Sequence, residues 1–271
     1  MDSRVIKQII IAAVYILVIG GISLGVYYFG YTTSPTCFDG IQNGKEEGVD
    51  CGTLACGQVC PPAIMPIVVN YVKYFKVNEN DYDFVAQVFN PNSDYGASSV
   101  NFNLEISDSS GSLKEKPGTT YLRPGQTKYI VWTAVSTGGA VVEAKLNIKD
   151  AFWGQMNVPS QTVSFIVKNK DIKSISTGYQ LESTIYNNSY YDFDKIDVSV
   201  ILFDDLNNII GVNGTNIKTF ISKTDRYFKV LWNQQLSGQI ERIDIEADTN
   251  LFDNSNFIKE HGTQERFQTY Y

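Results

Sequence analysis

Twenty-one uncharged residues near the N-terminus, Ile9 to Phe29 (IIIAAVYILVIGGISLGVYYF), constrain this chain more than any other feature. At about 1.5 Å per residue such a helix is roughly 31 Å long, the thickness of a bilayer's hydrocarbon core. Gly20, Gly21 and Gly25 would weaken a helix in water but are common in membrane spans, and Tyr27, Tyr28 and Tyr31 fall where interfacial aromatics belong. A cleaved signal peptide is the competing reading. Against it, the run is longer than a typical signal h-region, and its exit, GYTTSPTC, has no small-x-small cleavage site. The sequence therefore predicts a short cytoplasmic tail (residues 1–8) and an uncleaved transmembrane signal anchor (9–31). Arg4 and Lys7 precede the span and no cation follows it until Lys45, so the N-terminus is expected inside and the remainder outside the plasma membrane.

Setting aside Asp2, Arg4 and Lys7, 20 cations face 28 anions, so the expected ectodomain carries a charge of −8. No run of Lys and Arg is present to track a phosphate backbone, which argues against a nucleic-acid partner. The single histidine, His261, lies in a polar C-terminal stretch (254–271), so Ser/His/Asp or Cys/His catalysis and multi-histidine metal sites lack their parts. Asp204-Asp205 and Asp192/Asp194 are paired carboxylates of the kind glycosidases use, but they sit in predicted turns, where aspartate caps the backbone. The chain is expected not to be an enzyme.

All four cysteines fall just beyond the span, at Cys37, Cys51, Cys56 and Cys60. Thiols oxidise outside the cytoplasm, and a segment of 37–60 with almost no core needs covalent staples, so two disulfides are expected, with the pairing open. Four thiolates holding a structural zinc are the alternative. Asp39, Asn43, Glu46 and Asp50, with Glu47 beside them, crowd oxygen donors into twelve residues and make a candidate Ca2+ site, although the EF-hand spacing is absent. The stretch Cys37, Asp39-Gly40, Asn43, Glu46, Asp50-Cys51-Gly52 resembles the C-x-DG-x-x-N-x-x-E-x-x-x-DCG cysteine motif of bacterial surface proteins, with Thr53 where a second glycine is frequent.

From residue 64 onward the pattern becomes that of strands and turns. Apolar residues alternate at Phe84, Ala86, Val88 and at Phe102, Leu104, Ile106, each the mark of a strand with one buried face. The order then recurs: Phe89-Asn90 aligns with Tyr186-Asn187, Asp108 with Asp204, and Trp132 with Trp232, at offsets of 97, 96 and 100. That spacing is the length of one immunoglobulin-like or fibronectin-like unit and predicts a tandem duplication, with β-sandwiches over 64–154 and 161–253. The fold class expected is mainly β: two tandem Ig-like/FNIII-like β-sandwiches, one N-terminal transmembrane helix and a small disulfide-rich module. Trp132 and Trp232 are expected to fill the same place in each core. Each unit also resembles the FxLYD and LEA-type-2 group of β-sandwiches, in which a strand ending in Asn leads to a D-x-x-G hairpin and a Pro-Gly turn. In the second unit Asn207-Asn208 and Ser222-Lys223-Thr224 stand in for the Gly and Pro-Gly.

This resemblance implies a surface adhesion, scaffold or accessory module without an active site. The expected function is a single-pass surface protein that displays two sandwiches to a protein or surface-polymer partner. A carbohydrate- or cell-wall-binding receptor, with aromatics of the Asn187–Tyr191 loop as its contact surface, and an accessory subunit of a secretion or pilus complex are the alternatives. Asn187-Asn188-Ser189 and Asn213-Gly214-Thr215 match glycosylation sequons.

Overall fold

A computed structural model describes residues 3–31, 37–61, 63–156 and 163–258, and the chain forms two compact units, residues 1–63 and 64–271. In the first, helix α1 (Ser3–Tyr31) contains a stretch, Arg4–Tyr28, long and apolar enough to cross a membrane. None of that stretch is buried against protein: Ile16 and Leu17 are 71% and 75% exposed. Aliphatic side chains displayed on all sides of a helix are a liability in water and the expected surface in lipid.

In the second unit the chain runs through β1 (Val68–Lys76), β2 (Asp81–Phe89), β3 (Tyr95–Asp108), β4 (Leu113–Leu122), β5 (Thr127–Ser136) and β6 (Val141–Gln155). It continues through β7 (Phe165–Ile175), β8 (Gly178–Asn187), β9 (Phe193–Phe203), β10 (Ile209–Phe220), β11 (Asp225–Trp232) and β12 (Arg242–Asp248). They pair as four antiparallel three-stranded sheets in the orders β1-β2-β5, β4-β3-β6, β11-β8-β7 and β10-β9-β12, so strands seven to twelve repeat the pairing of strands one to six. Within each repeat the inward residues of the two sheets meet. Phe84, Val88, Leu104 and Leu122 fill the first core; Ile185, Val200, Phe220 and Trp232 fill the second. The packed chain continues past residue 253. Phe257 is buried and bridges to Phe193, and the Ile258 N–H donates to the Asp192 carbonyl at 3.0 Å, so the described start of the expected polar tail is part of the second sandwich. His261 lies outside the described residues.

The turns show why the repeat tolerates its own sequence changes. Asp108 accepts hydrogen bonds from the amides of Ser110 and Ser112, and Asp204 from those of Leu206 and Asn208, closing the same hairpin in each copy. Gly111 and Asn207 both take positive φ there, 80° and 61°; Gly125 (64°) and Lys223 (56°) match in the next turn. Asparagine visits this left-handed region at lower cost than other side chains, so Asn207 replaces the glycine without changing the turn. Asn90 and Asn187 are both fully buried, and each side-chain amide donates to two carbonyls: Tyr95 and Arg123 in the first repeat, Tyr191 and Phe220 in the second.

The tryptophans depart from the expected equivalence. With Asn90 on Asn187, Phe84 corresponds to Leu181; their cross-strand partners are Trp132 and Val230. Trp232 corresponds instead to Val135. The cause is a bulge in β5 at Thr133-Ala134, where Ala134 has φ 51° and its N–H donates to the Asp83 carboxylate at 2.8 Å. Trp232 is 1% exposed and donates to the Val212 carbonyl, whereas Trp132 is half-buried, edge-on to Phe102.

The two sandwiches are stacked. Strands β2 and β9 are buried on both faces: Val85 points away from the first core and Ile201 and Phe203 away from the second, and these three pack together with Ile209 and Val212 of β10. Tyr71, Phe75, Tyr129 and Val131 surround them. The β1-β2-β5 sheet of the first repeat thus lies on the β10-β9-β12 sheet of the second, and four sheets form four successive layers. At one margin, Phe252 packs so close to Gly96 that a Cβ on Gly96 has no room.

Candidate functional site

The cysteine module is the first region the sequence nominates. Its bridges are Cys37–Cys56 and Cys51–Cys60, so no thiolate remains to hold the zinc considered as an alternative. The oxygen donors nominated for calcium are turned toward the module's own backbone. Asp50 accepts from the amides of Asp39 and Gly40 (3.0 and 2.8 Å), Asp39 from the Ile41 amide and the Asn43 side chain, and Glu46 from the Asn43 amide at 3.1 Å. Glu46 is 8% exposed and lies beside the Cys37–Cys56 bridge. These carboxylates do the work of a core: they satisfy amides in a loop too short for a regular hydrogen-bond ladder.

The loop Asn187–Tyr191 divides. Asn187 and Ser189 are fully buried, Ser189 donating to the Asn187 side-chain oxygen at 2.6 Å, so this sequon's asparagine is a structural staple. Tyr191 packs between Phe193 and Phe257. Tyr190 is 73% exposed, with the Lys223 ammonium 4.2 Å above its ring. The other sequon residue, Asn213, donates to the Leu231 carbonyl at 2.6 Å. Of the carboxylate pairs, Asp204 closes its hairpin and Asp192 accepts from the Ser222 amide, while Asp194 opens into a cleft that the sequence did not point to.

That cleft, about 880 Å³, lies between the repeats where the stacked sheets diverge. Thr119 and Tyr121 of β4 form one wall; Asp194 and Asp197 of β9, Asn216 of β10 and Ser255 form the other. Its size falls in the range of ligand pockets. Behind it sits a buried charge cluster joining the repeats. The Asp248 carboxylate meets the Lys128 ammonium at 3.0 Å and the Arg123 guanidinium at 3.3 Å, and accepts from the Gln126 side chain at 2.8 Å. Lys128 also lies 3.3 Å above the Tyr121 ring. Tyr121 is 7% exposed, and its hydroxyl, closed off from solvent, has no hydrogen-bond partner among the described residues. Burial, with the charges of Asp248 and Asp197 nearby, holds that phenol neutral. Two residues back along β12, Glu246 accepts from the Tyr129 amide at 3.2 Å, and burial beside Asp248 pushes its pKa up to about 7. The cleft went unseen in the sequence because six separate elements line it. Its one linear sign is in β9, where Val200-Ile201-Leu202-Phe203 breaks the alternation and marks a strand covered on both faces.

No protein-family model and no curated protein sequence matches this chain. Among solved structures it is similar to red sea bream transglutaminase (10% identity over 73% of this chain and 31% of that one, TM-score 0.23). It is also similar to the calcium-binding domain CBD12 of CALX1.1 (11% identity, 69% and 79% coverage, TM-score 0.19). A third likeness is to the CBM22-1–CBM22-2 tandem of Paenibacillus barcinonensis Xyn10C (8% identity, 68% and 85% coverage, TM-score 0.17). The chain thus spans under a third of the transglutaminase, and at these TM-scores none of the three carries a functional argument.

Proposed function

We propose that this is a single-pass, membrane-anchored surface protein, N-terminus inside, whose fused double sandwich presents a polar cleft to a partner and performs no chemistry of its own. The stacked apolar face carries this reading. A body locked through Val85, Ile201 and Phe203 holds the cleft walls at fixed separation, as a recognition surface requires. The nominated carboxylates Asp192 and Asp204 are spent on backbone amides, which supports a non-catalytic role. The serine, threonine and asparagine lining favours a neutral polyhydroxylated partner over a charged one, since Asp194 and Asp197 share the site with Lys128 and Lys195, and Asp197 pairs with Lys195 at 2.8 Å. A photo-crosslinking residue placed at Thr119 or Asn216 in intact cells should capture one and the same partner, by mass spectrometry, that a probe at Lys229 on the far sheet does not. Capture at Lys229 alone would move the recognition surface away from the cleft.

A further inference from the structure

The cysteine module is inside out. It buries Glu46 at 8% exposure and Cys51 at 4%, while its large apolar side chains stand outward: Phe38 at 95%, Leu54 at 92%, Val59 at 77%, Ile41 at 62% and Val49 at 56%. The hydrogen bonding explains how such a shape is stable. The polar groups face inward because Asp39, Glu46 and Asp50 supply the acceptors that the module's amides need, and two disulfides replace the missing hydrophobic core. The Cys37–Cys56 bridge ties the turn that carries Phe38 to the turn that carries Leu54, so the module's two most exposed apolar side chains belong to two turns held together by one disulfide. In water this costs free energy on every one of those side chains; at an apolar boundary it is gained back.

We propose that the module is an interfacial foot: Phe38, Leu54 and their apolar neighbours insert into the headgroup and upper acyl region of the leaflet from which α1 emerges. The occupant follows from the chain. Five residues, 32–36, join Tyr31 at the end of α1 to Cys37, a tether of about 20 Å at full extension. The module therefore stays beside the bilayer that the helix crosses, with Tyr27 and Tyr28 at the same boundary. This rests on the membrane-anchored reading and adds to it a second contact.

The test uses the full chain in phosphatidylcholine nanodiscs, with Phe38→Trp and Leu54→Trp as separate variants and both disulfides verified intact. The wild type, with Trp132, Trp153 and Trp232, gives the baseline. Each variant is expected to add blue-shifted emission that is lost when the lipid is replaced by its acyl-brominated analogue, with the baseline unchanged. Added emission that is red-shifted and unquenched places the module in water and overturns the proposal. Blue-shifted but unquenched emission means that protein, not lipid, covers it, and overturns it equally. Vesicle flotation separates the two readings: a chain that floats without quenching keeps its anchor and loses its foot, and one that does not float loses both.

Discussion

The outer faces of the first and last layers occupy the same positions in the repeat as the faces that are stacked in the middle, and they carry opposite chemistry. In the β10-β9-β12 sheet, Ile201, Phe203, Ile209 and Val212 pack against the first repeat. By sheet register their counterparts in β4-β3-β6 are Glu105, Ser107, Leu113 and Glu115, of which Leu113 alone stays apolar, at 61% exposure. On the other side, Tyr71, Phe75, Val85 and Val131 of the first repeat correspond to Lys168, Lys173, Glu182 and Lys229 of the second. The stacking contact joins unlike faces, so nothing in its geometry closes it; repeated between molecules it would run on into a fibre. Charge at the terminal copies of each face ends the stack at two units.

The largest effect should come from giving an inner position its outer counterpart's residue. Val85→Glu copies Glu182 into a site that is 0% exposed and surrounded by aliphatic and aromatic side chains. An unpaired carboxylate there should cost about 4 kcal/mol, read by chemical denaturation of the full chain in micelles. The mirror change, Glu182→Val with Lys229→Val, should alter stability by about 0.5 kcal/mol or less, while light scattering shows concentration-dependent self-association. A Val85→Glu protein as stable as the wild type would mean that the sandwiches do not share this interface.

What the sequence disclosed and what it withheld follow the same division. Each sandwich was legible because its core uses period-two alternation and its turns use residues with a local mechanism: Asp108 and Asp204 to cap, Gly111 and Asn207 for positive φ. The tryptophan pairing misled because identity of residue type concealed one inserted residue, and the Ala134 bulge that absorbs it has no glycine to announce it. The stacking and the cleft depend on contacts between repeats more than a hundred residues apart, such as Lys128 with Asp248. The run Val200 to Phe203 carries a trace of them, but a run cannot name its partner face.

A smaller effect distinguishes the polar margin of the interface from its apolar centre. Burial holds the Glu246 carboxyl at about 7, above its ordinary 4.5, so the fold prefers it protonated while the unfolded chain ionises it earlier. Its favourable contribution is complete below pH 4.5 and is lost as pH rises toward 7, a decline of about 2 kcal/mol after discounting for its partial exposure. Asp83, also raised by burial at this interface, acts in the same direction. Glu246→Gln should therefore flatten part of the pH dependence of unfolding between 4.5 and 7, leaving the remainder. An unchanged slope would show that Glu246 is solvated and that the margin of the stack is open.

The smallest effect tests whether the repeats are equivalent where they differ most in sequence. Gly111 and Asn207 hold the same left-handed position in matching hairpins, each preceded by a capping aspartate whose pKa is lowered. For Asp108 the Ser110 hydroxyl contributes most to that lowering; for Asp204 burial opposes it, and the hydrogen bonds from Asn208 and Leu206 together with the Lys73 charge outweigh the opposition. Asn207→Gly should change stability by about 0.5 kcal/mol or less, because the backbone strain it relieves is offset by the greater freedom of glycine in the unfolded chain. Gly111→Ala should cost about 1 kcal/mol, since alanine has no side-chain hydrogen bond to compensate its positive φ. If both changes cost the same, the two hairpins share a shape but not a mechanism, and the Asn-for-Gly exchange between the repeats would not be neutral.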